Sequence, residues 1–272
     1  MITPDRQPDL FGGGGWDEPP ADPVFEDCAP LDPAALSDSA LIQAFANAYL
    51  REATALAAEA ERRKLAAAVP ALGALCRRFK GFGRHAPIAE QRAAFAALAQ
   101  IGGREAADLV VRLIAEAVVQ APGLPDALAA AVRLGGRLPS AIALNCLRDP
   151  RPDVRRDACR LVRPSAETVA VLIDLLSDLH DSVSAAAACA LGRLGRVEGR
   201  GRLVRLLANA PSAEAIDAFA RIADDDGLVV LGRLAGNHPN LAGAVLDALE
   251  ESDRPHAAVV AAGVRRRLGL GA

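Results

Sequence analysis

Two stretches of this chain superimpose at an offset of 29 residues. In L-R-D-P-R-P-D-V (147–154) and L-S-D-L-H-D-S-V (176–183), Leu147 falls on Leu176, Asp149 on Asp178, Asp153 on Ser182 and Val154 on Val183. Ala158 then falls on Ala187. Each block reads as an apolar helix, a polar turn opened by Asp, and a second apolar helix opened by Val. The second block ends A-C-A-L-G-R-L-G (188–195), with glycine where a helix terminates. Less regular helix pairs are read at 92–121, 199–223 and 227–250. A helix pair this short cannot bury its own apolar face. Stacking on neighbours buries it, so the period predicts an array of several units with capped ends.

Composition points the same way. Apolar residues make up 51% of the 272, aromatics only 3%. Ala, Leu and Val therefore carry the burial, and small side chains let helices approach closely. The expected fold class is all-α, an alpha-alpha superhelix over residues 37–272, with residues 1–36 as a disordered tail. That tail holds Gly12 to Gly15, seven prolines and many acids, with no helical period. A helix is expected from an N-cap at Ser39 to about Arg63, with Leu41, Phe45, Ala48 and Tyr49 on one face, as the N-terminal cap. Pro70 is expected to end or kink a helix. GFGRHAP (81–87) reads as a break, with a new helix from about Ala89. The run Arg265, Arg266, Arg267 suits a solvated helix C-terminus.

The repeat resembles the short bacterial HEAT repeats. Asp149, Val154 and Arg155 in one unit, and Asp178, Val183 and A-L-G-x-L-G (190–195) in the next, carry the resemblance. It implies a ladder in which the turn Asp and the Arg six residues on link successive repeats. Asp149 and Arg155 match both positions. Ser184 stands where the next unit's Arg is expected, so the ladder breaks there.

Little in the sequence asks for catalysis. His85, His180, His238 and His256 are not spaced as ligand pairs, and no phosphate loop occurs. Asp224, Asp225 and Asp226 read as a solvated turn. The five cysteines are scattered and odd in number, which fits buried thiols better than disulfides or zinc. HEAT-like folds include DNA glycosylases for alkylated bases and chromophore lyases. Between residues 88 and 272 the only aromatics are Phe95 and Phe219, too few for a stacking pocket. The expectation is a non-enzymatic protein-binding scaffold with no cofactor and no metal; the alternative is an enzyme on the same solenoid. A net charge of -3 gives no general drive toward nucleic acid, so direct nucleic-acid binding and a small-molecule ligand are not expected. No apolar run is long enough for a membrane span, and no secretory signal is seen, which suggests the cytoplasm.

Two groups of residues are candidates for binding. Arg156, Arg160, Arg163, Arg193 and Arg196 could form a basic stripe for an acidic peptide or other anion. In the tail, Gln7, Asp9, Leu10 and Phe11 spell Q-x-D-L-F. This resembles the short peptide by which bacterial replication and repair proteins dock on the DNA polymerase sliding clamp. Pro8 occupies the variable second position, where Leu is common.

Overall fold

The computed structural model describes residues 31–269. Every regular element among them is helical. Seven helix pairs follow one another: α1 (Asp38–Ala44) with α2 (Leu50–Arg62), α3 (Val69–Arg78) with α4 (Ala89–Ile101), α5 (Gly103–Ala115) with α6 (Leu124–Arg133), α7 (Ser140–Leu147) with α8 (Pro152–Leu161), α9 (Ala166–Asp174) with α10 (Asp181–Arg193), α11 (Arg200–Asn209) with α12 (Ala213–Ala220), and α13 (Asp225–Asn237) with α14 (Ala242–Glu250). A last helix, α15 (Pro255–Leu268), packs on both α13 and α14.

From α2 to α14 each even-numbered helix packs on the next even one without a gap. The odd-numbered series is close only from α3 to α5, α7 to α9 and α13 to α15. In a curved two-layer array the closely spaced layer is the inner one. The even helices therefore form the inner, continuously packed layer of the array.

Local sequence explains the boundaries. Ser37 caps α1 by accepting from the Ala40 N–H, so the cap lies two residues before the expected Ser39. Ser165 and Thr168 form a capping box on α9, Ser212 caps α12, and Asp224 caps α13. Pro70 does not end a helix. It sits in the first turn of α3, where a missing N–H costs nothing. Val154, Ala187 and Leu191 are all fully buried, as the repeat alignment requires. Gly195 follows α10 with φ +70°, the left-handed conformation that a helix-terminating glycine supplies.

Three further expectations change. The segment 39–63 is not one helix. The guanidinium of Arg78 donates to the carbonyls of Phe45, Ala46 and Ala48, which holds the chain open between α1 and α2. Leu41, Phe45 and Ala48 are buried, but Tyr49 swings out over Arg78, with its ring centre 4.9 Å from the guanidinium carbon. Residues 33–36, left with the tail by sequence, are folded: Arg63 donates to the carbonyls of Pro33, Ala34 and Leu36. The stretch 92–121 also spans the second helix of one pair and the first of the next.

The apolar interior forms two clusters that meet at α10. Ala186, Ala187, Ala190 and Leu191 face the N-terminal cluster, while Ala188 and Cys189 face the C-terminal one. A helix built almost wholly of small residues is what two-sided burial demands. At Gly192 the backbone of α10 lies directly against the Ala218 carbonyl of α12, with no room for a Cβ.

Candidate functional site

The inner helices all end along one rim, and arginines collect there. Arg133 closes α6 and Arg137 follows it. Arg160 lies in the last turn of α8 and Arg163 just beyond. Arg193 ends α10. Cations at helix C-termini complement the negative end of each helix dipole, which is reason enough for one arginine per unit. It does not explain two neighbouring arginines without acids.

Each sequence-predicted arginine has a definite place. Arg156 makes a two-pronged pair with Asp157, at 2.8 and 3.1 Å. Arg160 grips Glu214 on α12, its Nη2 2.7 Å from Oε2. Arg193 lies 3.6 Å from the same Glu214 carboxylate. Arg196 pairs locally with Glu198 at 2.5 Å. Arg163 has no carboxylate partner among the described residues. Arg160, Arg163 and Arg193 come together around one hollow of about 610 Å³, floored by Val162, Ala190 and Leu194. Arg156 and Arg196 do not line it.

Sequence reasoning missed Arg137, which lies in the same hollow. Its Nη1 donates to the carbonyls of Gly136 and Arg160, at 3.0 and 3.2 Å, and it too lacks a carboxylate partner among the described residues. Partial burial, then the neighbouring Arg193 and Arg163, push its pKa below the usual arginine value. The available signal was a gap: residues 127–148 contain Arg133, Arg137 and Arg148 and no acid. Arg137 and Arg163 also line a second, adjoining hollow of about 790 Å³ that adds Arg112 and Arg133. The two hollows thus share a wall of uncompensated positive charge. Glu214 is the acid that holds part of the rim together. Burial opposes its charged form, but the Arg160 hydrogen bond and the charges of Arg160 and Arg193 prevail and lower its pKa.

The ladder residues are elsewhere. The Asp149 carboxylate pairs with Arg151 at 2.9 Å, not with Arg155. Arg155 reaches the next unit's Asp178. Ser184, at the position of the missing Arg, turns inward and donates to the Leu176 carbonyl at 2.9 Å. Asp224 is occupied by Arg200 and the Gly227 N–H. Burial pushes the thiols of Cys76 and Cys159 up to about 12 and that of Cys189 to about 11, so none is a nucleophile at neutral pH. Gln7, Asp9, Leu10 and Phe11 lie outside the described residues. No helix among the described residues is long and apolar enough to cross a membrane.

No protein-family model matches this chain, and no curated protein matches it by sequence. Solved structures do match. One is the complex of CpcE and CpcF of phycocyanin lyase from Nostoc sp. PCC7120, at a TM-score of 0.59 and 16% identity, covering 92% of this chain and 100% of that one. This likeness shows the fold: a HEAT-like helical solenoid. It also overturns the expectation that the chain is not an enzyme. That expectation rested on few aromatics and no paired His and Glu in this architecture, and the same architecture over a neighbour's whole length belongs to a lyase.

Proposed function

We propose that this chain is a lyase-type protein of the chromophore-lyase kind, which works with a protein partner and holds its ligand in the arginine-lined groove. The observation behind this reading is the helical arrangement shared with the phycocyanin lyase complex over nearly the whole chain. The groove supports it independently. A chromophore such as a linear tetrapyrrole pairs an apolar conjugated body with propionate carboxylates, and the groove pairs an apolar floor with guanidiniums. Scarce aromatics do not count against this, because ion pairing and apolar contact need no ring stack.

The partner half of the proposal follows from the neighbour's being a complex of two different proteins. For a second contact we propose the sliding clamp, through Gln7, Asp9, Leu10 and Phe11, supported by the motif match alone. An extended segment with two large apolar anchors can enter a hydrophobic groove, with micromolar affinity as the realistic scale. A peptide of residues 1–16 should bind purified clamp, and Leu10→Ala with Phe11→Ala should abolish that. No binding at high micromolar peptide would remove the clamp.

The lyase-type reading is tested by titrating the full chain with biliverdin and following visible absorption. Saturable binding with a shifted long-wavelength band is expected. An unchanged spectrum at tens of micromolar protein would refute it.

A further inference from the structure

Arg137 and Arg163 stand at the junction of the two hollows, each lining both. Neither has a carboxylate partner among the described residues, and neither do Arg112 and Arg133 in the second hollow, where Arg133 reaches only the Gln100 amide oxygen; the arginines flanking this stretch are paired. Arg160 and Arg193 share Glu214, and Arg104 sits 3.7 Å from Asp108. Farther along the rim Arg221 pairs with Asp217 and Glu251. At the other end Arg62 and Arg63 share Glu59. The unbalanced charge is therefore confined to a short stretch. A polymer of phosphates would want the positive charge to run on along the rim, and it does not. Arg137 already bears the cost of lying beside Arg163 and Arg193. An anion is what relieves that repulsion.

The apolar part of the groove narrows the ligand further. Val162, Ala190 and Leu194 offer no hydrogen bonds to a sugar or to other hydroxyl-rich groups. Arg112 and Arg133 provide a second cationic point beyond the Arg137–Arg163 wall, in a hollow whose one lining acid, Asp108, faces Arg104 at 3.7 Å. We infer that the joined hollows take one small molecule with an apolar body and two carboxylates, one held between Arg137 and Arg163 and the other in the Arg112–Arg133 hollow. Naming that molecule as a tetrapyrrole rests on the lyase-type reading; the two-carboxylate requirement does not.

The experiment uses the full chain and three probes: biliverdin, its neutral dimethyl ester, and dodecanedioate, an unrelated apolar dicarboxylate. Affinities are measured by calorimetry for the parent, for Arg163→Ala, for Arg137→Gln, and for Arg205→Ala as a control on an exposed arginine outside the groove. Arg163→Ala is the cleaner variant, because no hydrogen bond of its side chain holds the fold, and its melting curve should match the parent's. Binding of a diacid that weakens about tenfold or more in the dimethyl ester, and by a similar factor in Arg163→Ala, supports the inference. Dodecanedioate binding that depends on Arg163, with no biliverdin binding, supports it while sinking the lyase-type reading. Equal binding of biliverdin and its ester, or an unchanged Arg163→Ala, overturns it while leaving that reading standing. No binding of either diacid overturns both.

Discussion

Arg155 and Asp178 are 23 residues apart in the chain and meet in a two-pronged ion pair, with Nε 2.8 Å from Oδ2 and Nη2 3.0 Å from Oδ1. The same guanidinium donates at 2.9 Å to the carbonyls of Asp149 and Pro150 in its own unit's turn. One side chain thus ties two consecutive turns, and the Asp178 side chain is only 7% exposed.

Arg155→Ala leaves that nearly buried carboxylate without its guanidinium, with the His180 N–H still donating to it at 2.9 Å. The cost should be about 3 kcal/mol, read as a fall in the chemical denaturation midpoint without a change in slope. Arg155→Lys should recover only part, because an ammonium cannot make the parallel pair of bonds.

Ala187→Asp places a charge in a site with no solvent access. We expect a loss of several kcal/mol, about 3 or more. Leu179→Asp, at a position 99% exposed, should change stability by less than about 0.5 kcal/mol. If the two variants melted alike, the repeat register at α10 would be wrong.

Glycines separate in the same way. Gly192→Ala drives a methyl into the Ala218 carbonyl, and backbone cannot yield as a side-chain tip does. A cost of about 2 kcal/mol is expected. Gly263→Ala, in the middle of α15 with nothing within 4 Å of the added methyl, should instead stabilise by about 0.8 kcal/mol. Thermal melting of both checks the pair.

Acid should weaken the N-terminal end in a defined window. Hydrogen bonds from Arg62 and Arg63 hold the Glu59 pKa down at about 2. A carboxylate whose folded value is depressed stabilises above its unfolded value, about 4.3, and that contribution fades as the pH falls toward 2. In Glu59→Gln the fall in melting temperature between pH 5 and pH 3 should be smaller than in the parent. An identical fall would show that Glu59 takes no part in the acid response.

The inner structure of the central units was legible because it is written twice. Val154 and Val183, Ala158 and Ala187 repeat with their turns, and burial follows period. Breaks that depend on a distant side chain were not legible. Nothing near residues 45–49 announces that Arg78 will come back to bind three of their carbonyls. The groove was half legible for a related reason. Arg160 and Arg163 stand out by helical spacing. Whether an arginine is neutralised is decided by acids in other units, as with Glu214, 54 residues from Arg160. The absence of acids around Arg137 is local and could have been read; its closeness to Arg163 and Arg193 could not.

α10 belongs to two interiors at once, and the arginine groove rests on its last turn through Ala190, Arg193 and Leu194. A beam gripped on both sides cannot tilt for one side only. With Gly192 seated against α12 as a fulcrum, a load applied at the groove is felt by both halves of the array. A shift of that last turn would therefore disturb the packing of both clusters together.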